Sequence, residues 1–231
     1  MSFEAVIFDC DGVLVDSEVL AIGGERMALS EMGLDYSPAD YVRRFVGLHD
    51  GAFFDQLKAD YRTAFSADAP DDFEERVLGG RRKEMGALQI IADADAAMRS
   101  ARAHTRHVAV ASSSRAHYLK SKLERIGLYD LAAPHVYSAD LVEHGKPAPD
   151  IFLYTAQKLG IAPARCLVLE DSENGVRAGC AAGMIVWGFT GGGHCFEGHA
   201  ERLLAAGAER VVASFADFIA ALDAMAAPAQ A

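Results

Sequence analysis

Two aspartates, Asp9 and Asp11, follow the first apolar segment of this 231-residue chain. Residues 5–8 have the length and composition of a short buried strand. Because alternate residues of an extended segment point to the same side, both carboxylates can face one site at the end of that strand. Two anions so close together repel each other unless a cation binds them or one of them is protonated. A Mg²⁺ ion meets the first condition, since it prefers oxygen ligands and leaves room for a substrate phosphate.

Further polar residues follow the later apolar runs of the chain, and a lysine occupies a proline-rich turn. In open α/β sheets, ligands bind at the carboxyl ends of the strands, so these residues are candidates to join Asp9 at one site. They are Ser112 and Ser113 after the second run, Lys146 in the turn, and Glu170 and Asp171 after the third run.

The order of these groups resembles the pattern of the haloacid dehalogenase-like superfamily, which is Asp-x-Asp-Gly-x-x-x-Asp, then a Ser or Thr, then a Lys, then an acidic pair. The chain supplies the pattern as Asp9, Asp11, Gly12, Asp16, Ser112, Lys146, Glu170 and Asp171. The chain resembles most the phosphatase and β-phosphoglucomutase-like branch of the superfamily, over nearly its whole length. The resemblance implies an α/β fold, with a Rossmann-like parallel sheet as the core and a small inserted α-helical cap domain.

The resemblance also implies a role for each carboxylate. Asp9 is the expected nucleophile, which forms an aspartyl-phosphate and so divides hydrolysis into two easier steps. Asp11 is the expected general acid and base. Mg²⁺ is the expected cofactor, and its expected ligands are Asp9, Glu170, Asp171 and the backbone carbonyl of Asp11. Capping of a turn or of a helix N-terminus is the alternative role for these side chains.

The serines and the lysine are expected to bind the phosphoryl group. Ser112 donates its hydroxyl to a phosphoryl oxygen, and the backbone N–H of Ser113 adds a donor. Lys146 binds the same group and balances the charge of Asp9. With Asp11 protonated, three carboxylates then face three positive charges, from Mg²⁺ and Lys146, so a phosphate dianion can enter. The alternative role of the serines is to cap the following helix, and the alternative for Lys146 is that of a solvated lysine in a loop.

The periodicity of the apolar residues divides the chain into two domains. Residues 1–16 and 88–231 predict an α/β core, because strands and helices alternate there as in βαβ units. Residues 17–87 predict a separate helical cap, with helices at about 17–32, 38–46, 50–65 and 70–86. The core strands are predicted at 4–9, 107–112, 134–138, 166–170, 184–189 and 210–213, and the helices between them include 114–126, 149–159 and 173–182.

Composition narrows the class of protein. The formal net charge of −11 argues against nucleic-acid binding. No apolar run is long enough to span a bilayer, and the first residues lack the basic and apolar segments of a signal peptide, so we expect a cytoplasmic protein without a membrane partner. The four cysteines form no CxxC pair. The expected partner is a small phosphorylated metabolite, and the sequence does not indicate an oligomeric state.

Several residues separate the possible reactions. Dehalogenases of this fold lack the second carboxylate, so Asp11 favours phosphate chemistry. Phosphonatases of the family use a lysine in the cap hinge, and residues 12–24 contain none. The related phosphomutases carry a histidine where this chain has Ala21 and an arginine near the position of Asp50. Hydrolysis is therefore favoured, and a sugar phosphomutase and a non-catalytic metabolite-binding protein are the alternatives.

A cap that closes over the site would exclude water and contact the leaving group of the substrate. Its candidate contacts are His49, Arg43 and Arg44, which lie near the predicted cap loop. An arginine at that place can bind a second anionic group of the substrate. Solvation at the surface is the alternative for these side chains.

The glycine-rich segment 191–193 does not follow the first strand, so it predicts a mobile loop and not a dinucleotide site. His194 and His199 lie beside it without a carboxylate at zinc-protease spacing, and the sequence assigns them no role. Asp16 is expected to support the turn between core and cap.

Overall fold

The computed structural model describes residues 3–45, 50–84 and 88–226. It divides into two compact units. The core unit consists of Met1–Asp16 and Gln89–Ala231, and the helical unit consists of Ser17–Leu88. The second boundary therefore lies one residue after the position that the sequence pattern indicates.

The core unit contains a parallel β-sheet, which confirms the predicted α/β fold. In the described part of the chain, the strands are β1 (Ala5–Phe8), β2 (His107–Ser112), β3 (Val136–Ser138), β4 (Cys166–Glu170), β5 (Ile185–Phe189) and β6 (Arg210–Val212). These six strands form one sheet in the order β3-β2-β1-β4-β5-β6. Strand β3 begins two residues later than predicted, because Pro134 has no N–H to donate to a ladder.

Strand β1 lies at the centre of the sheet, between β2 and β4. Its last residue, Phe8, pairs with Val110 on one side and Leu169 on the other. All four residues of β1 are buried, as expected for a strand that helices cover on both faces. Each buried aliphatic side chain of such a strand contributes roughly 1.5–3 kcal/mol relative to an exposed one. The packing of β1 therefore fixes where Asp9 emerges from the sheet.

Helices connect the strands of the core unit. They are α5 (Ala94–His104), α6 (Ala116–Arg125), α7 (Tyr129–Ala132), α8 (Asp150–Leu159), α9 (Glu173–Ala181), α10 (His199–Ala206) and α11 (Phe215–Ala226). Helix α6 begins two residues later than predicted, since Ser114 before it forms hydrogen bonds with Ser112 and Asp11. Helix α9 is capped by the hydroxyl of Ser172, which accepts a hydrogen bond from the backbone N–H of Gly175.

The helical unit has its own hydrophobic core, to which Leu29, Tyr41, Phe53 and Phe73 contribute. Its described residues contain the helices α1 (Ser17–Ser30), α2 (Pro38–Phe45), α3 (Asp50–Phe65) and α4 (Phe73–Glu84). Among all the helices that the structure describes, none combines the length and the apolar character that a bilayer crossing requires.

Candidate active site

Three charged side chains meet where strands β1 and β4 end. Asp9 and Glu170 emerge side by side, because the backbone N–H of Asp9 donates to the carbonyl of Leu169. The ammonium of Lys146 lies 2.5 Å from Asp9 Oδ1 and 2.5 Å from Glu170 Oε1. None of the three side chains is more than 9% exposed. A buried ammonium thus bridges two buried carboxylates, and its contact with Glu170 was not among the expectations from the sequence.

The loop after β3 carries Lys146 into the sheet edge, where its Nζ also donates to the carbonyl of Ala111 over 3.2 Å. Burial lowers the pKa of Lys146, but the negative charges of Asp9 and Glu170 more than compensate, so its pKa is raised. The ammonium therefore stays charged. Its Nζ lies over the ring of Phe152, 5.0 Å from the ring centroid.

A third carboxylate, that of Asp171, completes an acidic cluster. One carboxylate oxygen each of Asp9, Glu170 and Asp171 lies within 4.8 Å of the other two, and all three residues are buried. Burial raises the pKa of Asp9 well above its usual range, and the neighbouring carboxylates add to this, although Lys146 opposes it. A bound cation would reverse that shift. Because the donors are all oxygen atoms, the cluster fits Mg²⁺.

Glu170, the last residue of β4, and Asp171, the residue after it, differ in their surroundings. Glu170 Oε1 contacts Lys146, and Oε2 accepts hydrogen bonds from the backbone N–H and the hydroxyl of Ser172 at 3.1 and 3.0 Å. A Cβ at Gly175 would lie 1.8 Å from the Glu170 carboxylate, so only a glycine fits there. Both carboxylate oxygens of Glu170 therefore have protein partners, one of them the ammonium of Lys146.

Asp11 pairs with a residue that the sequence motifs do not include. The hydroxyl of Ser114 donates to Asp11 Oδ2 over 2.7 Å, and the ammonium of Lys122 forms an ion pair with Oδ1. Lys122 Nζ also lies 3.0 Å from the hydroxyl oxygen of Ser114, and its side chain is only 12% exposed. The charge balance proposed from the sequence, with Lys146 as the one protein cation, was therefore incomplete.

Residues 112–114, at the end of β2, form a serine loop that hydrogen bonds hold in place. Ser112 is buried, and its hydroxyl oxygen accepts from the backbone N–H of Ser114 over 3.0 Å. A hydroxyl can donate and accept at the same time, so this bond leaves the expected donation to a phosphoryl oxygen possible. The carbonyl of Ser114 accepts from the hydroxyl of Ser138 over 2.7 Å. Ser113 is exposed.

His194 contacts Asp171, although the sequence assigned it no role. Its Nε2 lies 2.9 Å from Asp171 Oδ2, and the residue is 3% exposed. Gly12, with a φ of +80°, packs against both side chains, and a Cβ there would lie 2.0 Å from Asp171 Oδ2. The backbone N–H of Gly193 donates to Asp16 at 3.2 Å. Asp16 thus ties the glycine-rich segment to the turn after β1, and that segment places His194 beside the acidic cluster.

The profile of haloacid dehalogenase-like hydrolases matches residues 3–183 of this chain. The chain belongs to this family. The family membership that the sequence motifs suggested is thereby confirmed.

Individual members of the family resemble the chain over most of its length. Hexitol phosphatase B of Escherichia coli (strain K12) is 31% identical over 184 residues, which is 78% of this chain and 80% of that protein. SUPPRESSOR OF QUENCHING 1, a chloroplastic protein of Arabidopsis thaliana, is 34% identical over 78% of this chain, but the match spans only 17% of that longer protein. A HAD family hydrolase of Deinococcus radiodurans R1, solved with bound phosphate and sodium, is 35% identical, with a TM-score of 0.82 over 97% of this chain and 96% of the other.

The expected substrate contacts of this hydrolase lie in the helical unit. Arg44 donates to both carboxylate oxygens of Asp60, over 2.8 and 2.6 Å, and stacks against Phe45. Arg43 pairs with Asp40 on the same helix. His49 lies outside the described residues. The roles of these three residues as substrate contacts stay predictions.

Proposed function

We propose that this hydrolase is a Mg²⁺-dependent phosphatase that acts on a small phosphorylated metabolite, such as a sugar phosphate, through an aspartyl-phosphate intermediate. The observation that carries the proposal is the buried ammonium of Lys146 between Asp9 and Glu170, with Asp171 beside them. Two relatives support it, since one is named a hexitol phosphatase and the other was solved with bound phosphate.

In the first step, a carboxylate oxygen of Asp9 attacks phosphorus, and the bond from phosphorus to the substrate oxygen breaks. The ammonium of Lys146 and the hydroxyl of Ser112 bind the phosphoryl oxygens and offset the negative charge that develops on them. In the structure, Lys146 pairs with Asp9. It can therefore stay beside the nucleophile while it contacts the incoming group.

Asp11 transfers protons in both steps. It gives a proton to the leaving alkoxide oxygen, and later removes one from the water that hydrolyses the aspartyl-phosphate. The hydroxyl of Ser114 and the ammonium of Lys122 contact separate oxygens of this carboxylate. We infer that these two contacts hold the carboxyl group of Asp11 in a fixed orientation.

Asp9, Asp171 and the backbone carbonyl of Asp11 are the proposed Mg²⁺ ligands, and Glu170 acts by holding Lys146. When bound, Mg²⁺ neutralises the carboxylates and polarises the phosphoryl group. With Asp11 protonated as the general acid, the three remaining carboxylates carry three negative charges, whereas the ammonium groups of Lys146 and Lys122 and one divalent cation would carry four positive charges. A substrate dianion then meets no excess of negative charge.

The helical unit is the proposed cap domain, because it is inserted directly after the segment that carries Asp9 and Asp11. A cap excludes water from the reacting group and favours small substrates. Arg43, Arg44 and His49 are its proposed substrate contacts. An arginine that binds a substrate anion would exchange its present carboxylate partner for that anion.

The test is to incubate the purified protein and Mg²⁺ with a panel of phosphorylated sugars and acids. We expect release of inorganic phosphate, and we expect Asp9→Asn to abolish it while the circular dichroism spectrum stays unchanged. The matched control is Asp130→Asn, since Asp130 is an exposed residue of α7. An isomerised sugar phosphate would indicate a mutase. Stabilisation by a ligand without any turnover would indicate a binding protein. Full turnover by Asp9→Asn would refute the assignment of Asp9 as the nucleophile.

A further inference from the structure

Three potential metal ligands converge on the segment between β5 and α10 of the core unit. One ligand atom each of His194, Cys195 and His199 lies within 4.8 Å of the other two. His194 is buried, and the other two are partly buried. Imidazole and thiolate ligands suit Zn²⁺ and other soft or borderline ions, whereas Mg²⁺ prefers oxygen. The cluster therefore differs in chemistry from the neighbouring acidic cluster.

The spacing of the first two ligand atoms matches that of a tetrahedral zinc centre. His194 Nε2 lies 3.6 Å from Cys195 Sγ. With Zn–N and Zn–S bonds of ordinary length, a nitrogen and a sulfur on the same zinc lie about 3.5 Å apart. Asp171 Oδ2 lies 2.9 Å from the same nitrogen and is within reach as a fourth ligand.

His199 has the hydrogen bonds of an oriented ligand. Its Nε2 lies 2.6 Å from the backbone carbonyl of Asp171, and its Nδ1 lies 2.9 Å from a guanidinium nitrogen of Arg202. These contacts indicate the tautomer in which Nε2 donates and Nδ1 accepts. Metal-binding histidines commonly donate their other ring N–H to a backbone carbonyl. Ligation through Nδ1 would release Arg202, whose side chain is 48% exposed and easily hydrated, whereas ligation through Nε2 would replace the bond to the carbonyl of Asp171.

We propose that His194, Cys195 and His199, with Asp171 as the fourth ligand, form an inhibitory binding site for Zn²⁺ or another thiophilic divalent cation. The inhibitory part rests on the proposed function, because Asp171 is also a proposed Mg²⁺ ligand. An Asp171 carboxylate that ligates Zn²⁺ is less available to Mg²⁺ in the acidic cluster, so bound Zn²⁺ lowers phosphate release. On binding, the sulfur–zinc bond replaces the S–H bond of Cys195, and the proton passes to solvent.

The binding site is tested with Co²⁺ added to the metal-free protein. Thiolate ligation of Co²⁺ gives a charge-transfer band in the near ultraviolet, which added Zn²⁺ should remove. We expect one Co²⁺ per chain with this band in the wild type, and no band in Cys195→Ser. His199→Ala should weaken Co²⁺ binding by about tenfold, as expected for loss of one ligand or its support.

Cys180→Ser is the matched control for the thiol, because Cys180 is exposed and lies on α9, away from this segment in the sequence. It should bind Co²⁺ with the same band as the wild type. Absence of the band in the wild type, or its persistence in Cys195→Ser, would overturn the site.

Inhibition is tested by phosphate release from p-nitrophenyl phosphate at a fixed Mg²⁺ concentration, with increasing Zn²⁺. Relative to each variant's own zinc-free rate, Cys195→Ser should need about tenfold more Zn²⁺ for half-inhibition, or more than that, since loss even of a residue that only supports a metal ligand weakens binding by roughly 10–100-fold. Cys180→Ser should behave as the wild type. If the same Zn²⁺ concentration half-inhibits Cys195→Ser and the wild type, the proposed inhibition through this site is refuted. A wild type that releases no phosphate from any substrate would refute the proposed function, while the Co²⁺ band would still decide the metal site.

Discussion

Asp11 and Lys122 form the residue-scale contact that most directly affects the proposed chemistry. Lys122→Met removes the ammonium but keeps the length of the side chain. We expect kcat for a sugar phosphate to fall about tenfold, which corresponds to roughly 1.4 kcal/mol of transition-state stabilisation. The loss should be smaller for p-nitrophenyl phosphate, because its leaving group needs little protonation. Values of kcat and KM for both substrates give the result.

Lys120→Met is the control for this substitution, since Lys120 lies on the same helix with its side chain 57% exposed. Asp11→Asn should lower kcat by roughly 10²–10⁴-fold, the usual range for loss of a general acid and base. Combining it with Lys122→Met should cost little more, because the lysine acts through Asp11. Additive losses in the double variant would show that Lys122 has a separate role.

Gly12 permits the close approach of Asp171 and His194 to the turn after β1. Gly12→Ala would place a Cβ 2.0 Å from Asp171 Oδ2, so the carboxylate must move. We expect the Mg²⁺ concentration for half-maximal activity to rise by about 10–100-fold, the usual effect of disturbing the support of a metal ligand. A Mg²⁺ titration of phosphate release measures it.

The control is Gly127→Ala. Gly127 also has a positive φ, +72°, but no atom lies within 4 Å of the position of its Cβ. It therefore reproduces the backbone strain without the steric clash. If both variants need the same Mg²⁺ concentration as the wild type, the contact between Gly12 and Asp171 has no role in metal binding.

Single residues differ in how well their contacts could be predicted. Asp9 and Glu170 each follow an apolar run directly, and Asp171 comes next after Glu170. Because the ends of parallel strands share one edge, sequence order was enough to place the three together. Lys122 lies within a helix, where a lysine is usually solvated, and no local pattern indicates its contact with Asp11. The contact of His194 depends on the path of a loop, which periodicity does not describe.

Among the elements, helices α1 and α4 of the helical unit pack at unusually short range. A Cβ at Gly80 would lie 2.2 Å from the carbonyl oxygen of Gly24. Gly80→Ala should therefore lower the free energy of unfolding, by about 1–3 kcal/mol as for other overpacked sites. Equilibrium unfolding in urea measures the change.

Gly23→Ala is the matched comparison, because Gly23 lies in the middle of α1 with no atom within 4 Å of its Cβ position. An alanine in a helix interior is more favourable than a glycine by roughly 0.5–1 kcal/mol, so this variant should be more stable than the wild type. Changes of the same sign in both variants would contradict the packing argument.

The strands and helices themselves were largely predictable from the sequence. Buried parallel strands are continuous apolar runs, and the run at residues 5–8 illustrates this. The order of the strands was not predicted, because apolar runs do not show which strands are neighbours. Strand β3 and helix α6 begin later than expected for local reasons, namely Pro134 and the hydrogen bonds of the serine loop.

At the scale of the whole molecule, a chain with a net charge of −11 concentrates carboxylates at one buried place. Mg²⁺ should therefore stabilise the core unit, because the proposed site exists in the folded cluster and not in the unfolded chain. At a concentration of 100 times its dissociation constant, a ligand of this kind adds about 2.7 kcal/mol. We expect chelation of Mg²⁺ to lower the Tm of the wild type, as measured by calorimetry.

Any added salt also screens the repulsion within so anionic a chain, so the control is NaCl at the same ionic strength. The difference between the Tm values in the two salts measures the effect of bound Mg²⁺ alone. Asp171→Asn should lose most of that difference, since it removes a proposed ligand, whereas Asp223→Asn, at an exposed position of α11, should keep it. Because the acidic cluster lies in the core unit, Gly80→Ala in the helical unit should keep the difference as well. An equal rise of Tm in NaCl and MgCl₂ would mean that the chain responds to ionic strength alone and that the acidic cluster binds no Mg²⁺.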